Sequence, residues 1–174
     1  MRYAVIENGI VANIALADAE YAAEMGWIEA GDATIGMTYD GTAFGPAPAP
    51  SIDDARATAW AAVKLRRAQL EFGGCDTPFG RVQTDPESTT KINGLTTLAL
   101  IAQAGGQPFE VGFSMADNSV VVLDATEAIT MGATVGGYVG AVYAHSFALR
   151  AQIDAAVDLA ALAAIDLLLG WPGA

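Results

Sequence analysis

The sequence has very few cysteines and histidines, the side chains that most often bind zinc or supply thiolate and imidazole chemistry. Cys75 is the single cysteine and His145 the single histidine among 174 residues. One cysteine cannot form a disulfide within the chain, and no second cysteine or cluster of histidines is present from which a zinc site could be built. The sequence therefore predicts no metal and no cofactor, and a chain of this length can instead rely on a packed core.

Basic residues are also scarce. Eight lysines and arginines stand against 20 aspartates and glutamates, which gives a formal net charge of -12. Affinity for nucleic acid comes largely from lysine and arginine side chains that release counterions from phosphates, so we expect no nucleic-acid binding. Both ends of the chain are acidic. This charge either matches a basic partner or keeps an apolar, alanine-rich protein in solution.

The chain lacks a clear segment for entering a membrane. Glu7 and Asn8 interrupt the first apolar run before it reaches the length of a signal-peptide core, so we expect synthesis in the cytoplasm. The window 128–149 is free of charge and long enough to span a bilayer. Its strongly apolar residues are few, however, and glycine, threonine, serine and histidine oppose insertion. We predict no membrane span.

The first 45 residues have the pattern of a small β-rich module. Asn8-Gly9 separates two apolar runs and accepts the positive φ angles of a type I′ hairpin turn. Asp40-Gly41 indicates a second hairpin. The prolines of "GPAPAPS" then favour an extended spacer. We predict a docking module over 1–45 and a proline-rich linker over 46–51.

The remainder, 52–174, has the pattern of a helical domain that contains one β-hairpin. Helices are predicted over 51–72 and 86–104, a hairpin over 109–123, and a long helix that Asp124 and Glu127 cap. A short helix is expected in "DLAALAAIDLLLG", and "CDTPFGRVQTD" is expected to be a short extended segment. The predicted fold class is α+β.

The long helix carries two stripes of small or apolar residues. One follows glycines at four-residue spacing, and the other advances by fours and threes, as in a coiled coil. Both stripes can pack within the chain, or one can face another subunit. For the second case the predicted oligomer-interface residues are Gly132, Val135, Gly136, Val139, Gly140 and Ala144.

No arrangement of residues in the sequence indicates catalysis. His145 lies in an apolar segment without a recognisable triad, and Cys75 follows a turn without evident partners. The carboxylates at Asp85 and Asp124 are explained as helix caps, and the three tryptophans are too scattered to indicate a ligand platform. We therefore predict that the protein is not an enzyme and has no catalytic or cofactor-binding residues.

Several segments in order resemble an uncharacterised domain found at the C-terminal end of bacteriophage tail and tail-fibre-associated proteins. They are "RRAQLEFGG", "TDPESTTKINGLTTLALIAQAGGQPF", "MADNSVVVLDATEAITMGA" and "AHSFALRAQIDAA". The opening "MRYAVIENGIVANIALAD" is similar to the β-rich leader of the same kinds of protein, in which a proline-rich segment commonly follows.

The resemblance implies a non-enzymatic structural component of a phage tail, baseplate or tail fibre, located in the virion tail. Its partners would be other tail or fibre proteins. Tail tips and fibres favour threefold symmetry, so a homotrimer is the implied homo-oligomer. The alternative is a chaperone of fibre assembly, and a hydrolase of the host wall or of glycans is a third, less favoured class.

Overall fold

The computed structural model describes residues 1–173 and divides them into two units, Met1–Ser51 and the residues from Ile52 onward. The described residues form five helices and nine short strands, and the strands pair in three separate antiparallel sheets. The predicted α+β fold class is confirmed.

The first unit is built on one five-stranded sheet with the strand order β3-β1-β2-β4-β5. Its elements are β1 (Arg2–Glu7), β2 (Ile10–Leu16), α1 (Ala19–Glu24), β3 (Ile28–Glu29), β4 (Thr38–Tyr39) and β5 (Phe44–Gly45). Its buried core is small and consists mainly of Ala4, Val11, Ala30 and Ala33.

Both predicted hairpins of the first unit are present. Asn8 and Gly9 have φ angles of 52° and 75°, as the two central residues of a type I′ turn require. At the second turn, Asp40 Oδ1 accepts hydrogen bonds from the backbone N–H groups of Thr42 and Ala43, both at 2.8 Å. The short helix α1 is not among the predicted elements; Asp18 caps it by accepting a bond from the N–H of Tyr21.

The second unit contains the long helices and two β-hairpins. Its elements are α2 (Ile52–Glu71), β6 (Cys75–Thr77), β7 (Gly80–Val82), α3 (Pro86–Ala104), β8 (Glu110–Ser114), β9 (Val120–Asp124), α4 (Ala125–Ala155) and α5 (Leu159–Ala163). The hairpin β6-β7 occupies the segment predicted only as extended.

The helices of the second unit begin where the sequence supplies capping groups. Asp85 accepts bonds from the N–H groups of Glu87 and Ser88 at the start of α3. Asp124 and Glu127 form a reciprocal capping box, each side chain accepting from the other's backbone N–H at 2.9 Å. These bonds satisfy donors that the first turn of a helix leaves free.

Helix α4 is the common element of both cores of the second unit. With 31 residues it is about 46 Å long. Its first half packs against α3 and the two hairpins, and its second half packs against α2, α5 and Trp171. The stripe with coiled-coil spacing faces these cores, and its buried members are Met131, Val135, Val142, Ser146, Leu149 and Ile153.

Within residues 1–173, no helix combines the length and the apolar character that crossing a membrane would require.

Candidate interaction surface

Two of the six predicted interface residues lie inside the chain's own packing. A side chain at Gly132 would collide with the side chain of Thr96 on α3. The Thr96 hydroxyl donates to the carbonyl of Ile92 at 2.8 Å and approaches that of Ala128 at 3.4 Å, so the missing side chain of Gly132 lets α3 approach α4. Val135 is 3% exposed. Gly132 and Val135 are therefore packing residues of the second unit and lie outside the open surface of α4.

The other predicted interface residues divide according to their position around α4. Gly136, Gly140 and Ala144 are exposed, and Val139 is half-buried. Apart from the adjoining backbone of α4 itself, no atom of residues 1–173 lies within 4 Å of the Cβ position of Gly136 or Gly140. Three of the six predicted residues thus lie on a surface that this chain leaves open.

These three residues belong to a continuous exposed surface opposite the buried stripe. At 100° per residue its members fall within an arc of about 140° around the helix axis. We call it the small-residue face; it consists of Ala133, Gly136, Gly137, Gly140, Ala141, Ala144, Phe147, Ala148 and Ala151. It contains no charged side chain, although 20 carboxylates are available in the sequence.

Sequence reasoning missed six members of this face, including Gly137 and Phe147. The available signal was the charge-free run 128–149, in which every exposed residue other than Phe147 is glycine or alanine. A solvent-facing helix surface normally carries polar side chains, so their absence over five turns sets this surface apart. Phe147, with 59% of its surface exposed, is its single large member.

The exposed glycines lower the stability of α4 without a visible benefit inside the chain. Glycine in a helix interior costs about 0.5 to 1 kcal/mol relative to alanine. At Gly132 the contact with α3 offsets that cost. At Gly136, Gly137 and Gly140 no neighbouring group comes within 4 Å of the Cβ position. For three such glycines the cost is about 1.5 to 3 kcal/mol, and no contact within the described residues 1–173 offsets it.

One border of the small-residue face is held by polar contacts between α2 and α4. The Tyr143 hydroxyl lies 3.1 and 3.2 Å from the two carboxylate oxygens of Glu71. The guanidinium of Arg67 lies 4.6 Å from the centre of the Tyr143 ring, and the Phe147 ring meets that ring edge-on at 6.1 Å. These contacts hold the Phe147 ring against Tyr143 at one border of the face.

The single histidine and the single cysteine are packed into the protein. His145 meets Trp171 edge-on with ring centres 4.7 Å apart, and its Nε2 atom is buried without a hydrogen-bond partner. Cys75 is buried, and desolvation raises the pKa of its thiol above the ordinary value. A raised pKa disfavours the reactive thiolate. Within residues 1–173, no three histidine, cysteine or carboxylate side chains are grouped so as to hold a metal ion.

The carboxylates with shifted pKa values are engaged in turns and caps. Hydrogen bonds from Ala43 and Thr42 lower the pKa of Asp40 to about 2. The hydroxyl of Ser88 lowers the pKa of Asp85, and the hydroxyl of Ser119 that of Asp117. Asp40 and Asp117 are exposed and Asp85 is half-buried. The lowered pKa keeps all three ionised near neutral pH, which makes them poor proton donors.

The tryptophans each have a separate structural partner. Trp27 packs edge-on against Tyr21, Trp60 lies under the guanidinium of Arg150 at 5.0 Å, and the indole N–H of Trp171 donates to a backbone carbonyl at 2.9 Å. The ring faces and edges are thus used in local packing.

Comparison with known protein families matches residues 54–167 to the domain of unknown function DUF4376. The chain belongs to the DUF4376 family. The match begins in α2 and ends after α5, so the DUF4376 domain coincides with most of the second unit and includes the whole small-residue face. No curated protein and no solved structure matches the chain.

Proposed function

We propose that this DUF4376 protein is a non-catalytic structural component of a phage tail, baseplate or tail fibre, which works by protein-protein assembly. The small-residue face is the observation that carries the assembly role. The ordered resemblance of the helical segments and of the β-rich leader to phage tail proteins supports the biological setting.

The small-residue face suits a second copy of the same helix. The axes of packed helices lie about 8 to 10 Å apart, depending on the size of the side chains between them. Glycines and alanines allow an interaxial distance of about 8 Å. Gly136, Gly137 and Gly140 have open space at their Cβ positions. Close approach of another backbone would bury this uncharged surface and offset the helix-destabilising effect of the glycines.

The proposed oligomer is a homotrimer, the state that the resemblance to tail tips and fibres implies, and three copies of an uncharged helix face can meet around one axis. In such a closed symmetric assembly every copy has the same environment, and the contact surface of each copy is covered by another copy. The acidic side chains of the second unit lie outside the face, so the copies would meet without like charges in the contact. The other partners would be tail or fibre proteins, and the protein would be made in the host cytoplasm before joining the virion tail.

Mass spectrometry of purified phage particles tests the structural role directly. The expected result is that peptides of this chain are found in particles at a fixed ratio to other tail proteins after extensive washing. Their absence from washed particles that retain complete tails would contradict a structural role.

A chaperone of fibre assembly is the second candidate. The observation that favours it is the net charge of -12, which is suited to keeping a soluble accessory protein from aggregating while it holds a folding partner. Co-expression separates the two functions. A chaperone would be required for soluble fibre trimer, whereas a structural subunit would leave the yield of soluble fibre unchanged.

A further inference from the structure

Among the strands of residues 1–173, none covers one edge of strand β8. It pairs with β9 alone. At the end of the hairpin, the N–H of Met115 donates to the carbonyl of Ser119 at 2.9 Å. In an antiparallel pair of strands, every second residue exchanges backbone hydrogen bonds with the partner strand. Counting from Met115, the next residue bonded to β9 is therefore Phe113, whereas Gly112 and Ser114 are not bonded to β9. The backbone N–H and C=O groups of Gly112 and Ser114 therefore point to the uncovered edge.

A groove of about 550 Å³ follows this edge between β8 and α3. Five consecutive residues, 111–115, line one wall. Successive side chains of a strand point to opposite faces of the sheet. A groove on one face would therefore contact only every second residue, and contact with all five places the groove at the strand edge. On the other wall are residues of α3 from Ser88 to Leu98. The groove has the length of about five extended residues.

The groove combines an apolar part with a single ionic group. Leu98 on α3 is 60% exposed and Val111 on β8 is 37% exposed, and both line the groove. Lys91 is the one charged residue in the lining, and it pairs with Glu87, outside the lining, at 2.7 Å. No carboxylate lines the groove, although the chain as a whole is strongly acidic. The Lys91 side chain is 65% exposed, and an exposed ion pair at this helical spacing contributes little to stability, so a carboxylate in the groove can replace Glu87 as its partner.

We propose that this groove binds an extended segment of a partner protein by strand addition to β8. The segment has about five residues, with apolar side chains that pack on Leu98 and Val111 and one carboxylate that binds Lys91. Main-chain hydrogen bonds to Gly112 and Ser114 supply the pairing, and the side-chain contacts supply selectivity. This surface is separate from the small-residue face and does not depend on a phage setting.

Fluorescence anisotropy with short labelled peptides and the full-length protein tests the proposal. The probe is a fluorescein-labelled peptide, Thr-Val-Thr-Val-Glu, with an amidated C-terminus. One control peptide ends in lysine instead of glutamate, and a second carries methyl groups on alternate backbone nitrogens. We expect the glutamate peptide to show saturable binding with a Kd below about 1 mM. Through its contact with Lys91 it should bind at least about fivefold more tightly than the lysine peptide. The methylated peptide should not bind.

Matched variants locate the bound peptide. Leu98→Asp should weaken binding by a factor of about ten or more, whereas Leu100→Asp, at a 50% exposed position of the same helix outside the groove, should leave it within about twofold. Gly112→Pro removes an N–H that faces the groove and should abolish binding while the helical circular dichroism is retained. In the Lys91→Gln variant, the glutamate and lysine peptides should bind with equal affinity.

Absence of saturable binding at 1 mM, or equal binding of the methylated peptide, would overturn the proposal. So would equal effects of the two leucine variants. A change of oligomeric mass in Gly112→Pro would show that a second copy occupies the edge, which also overturns the assignment to a different protein. Because particle composition is measured independently, failure here is distinguishable from failure of the proposed structural role.

Discussion

Glycine has two opposite effects within α4, and the difference depends on what each residue faces. Gly132 faces α3, where a side chain would collide with Thr96. Gly136 and Gly140 face open space. Glycine therefore permits an intrachain contact at one position and leaves a free surface at the others. The four-residue spacing of the glycines in the sequence does not distinguish these two cases.

The packing role of Gly132 predicts an unusual sign for an alanine substitution. Alanine normally stabilises a helix relative to glycine by about 0.5 to 1 kcal/mol. Gly132→Ala should instead lower the free energy of unfolding by about 1 to 3 kcal/mol, because the added methyl group overpacks the contact with Thr96. Gly94→Ala in α3, where no atom lies within 4 Å of the Cβ position, is the matched control and should be stabilising. Urea denaturation measures both, and a stabilising Gly132→Ala would contradict the packing account.

The turn at Asp40 predicts a measurable acid titration. Backbone and side-chain donors at Ala43 and Thr42 lower the pKa of Asp40 to about 2 from its ordinary value of 3.8. A lowered pKa in the folded state stabilises the turn above pH 4, and that stabilisation is lost as the pH falls toward 2. Thr42→Val removes the hydroxyl donor and should raise the pKa of Asp40 toward 3.8. Carboxyl carbon NMR measures the shift, and an unchanged titration would contradict the assigned cause.

At the scale of elements, the helices were largely predictable because the chain marks their ends with local chemistry. The caps at Asp85 and Asp124 operate through residues three positions away, so the sequence contains both partners. The Asn8-Gly9 hairpin is equally local. The hairpin β6-β7 was not recognised because its strands have three residues each, and burial of Cys75 and Val82 in the core stabilises it.

The orientation of α4 could not be predicted from its sequence. An amphipathic helix normally shows which face is buried through the contrast with a polar face. Helix α4 has apolar or small residues on nearly all sides, so the sequence indicated two usable faces and left their roles open. The packing of α2 and α3 against α4 determines which face is buried, and it places Val135 inward and Gly140 outward.

The capping box of α4 predicts the effect of removing its first residue. Asp124→Ala should cost about 0.5 to 2 kcal/mol, because the N–H of Glu127 loses its acceptor. Asp154→Ala is the control, since it removes a carboxylate from the other end of the same helix, where the exposed pair with Arg150 contributes about 0 to 1 kcal/mol. Thermal unfolding followed by circular dichroism compares them. A larger loss for Asp154→Ala would contradict the capping role.

At the scale of the whole molecule, the division after Ser51 predicts that the second unit folds without the first. Its two cores are formed entirely by residues from Ile52 onward. A protein that lacks residues 1–51 should therefore keep its helical circular dichroism and a cooperative unfolding transition whose midpoint changes by only a few degrees. Loss of cooperative unfolding would contradict this division.

The central claim is that the small-residue face of α4 is where copies of the chain meet. Light scattering coupled to size exclusion measures it most directly, with Gly136→Leu compared against Gly94→Leu. Both glycines have open space at their Cβ positions, so both substitutions should preserve or raise monomer stability. We predict a trimer mass for the wild type and for Gly94→Leu, and a folded monomer for Gly136→Leu. A wild-type protein that is monomeric at high concentration, or a Gly136→Leu variant of unchanged oligomeric mass, would contradict the account.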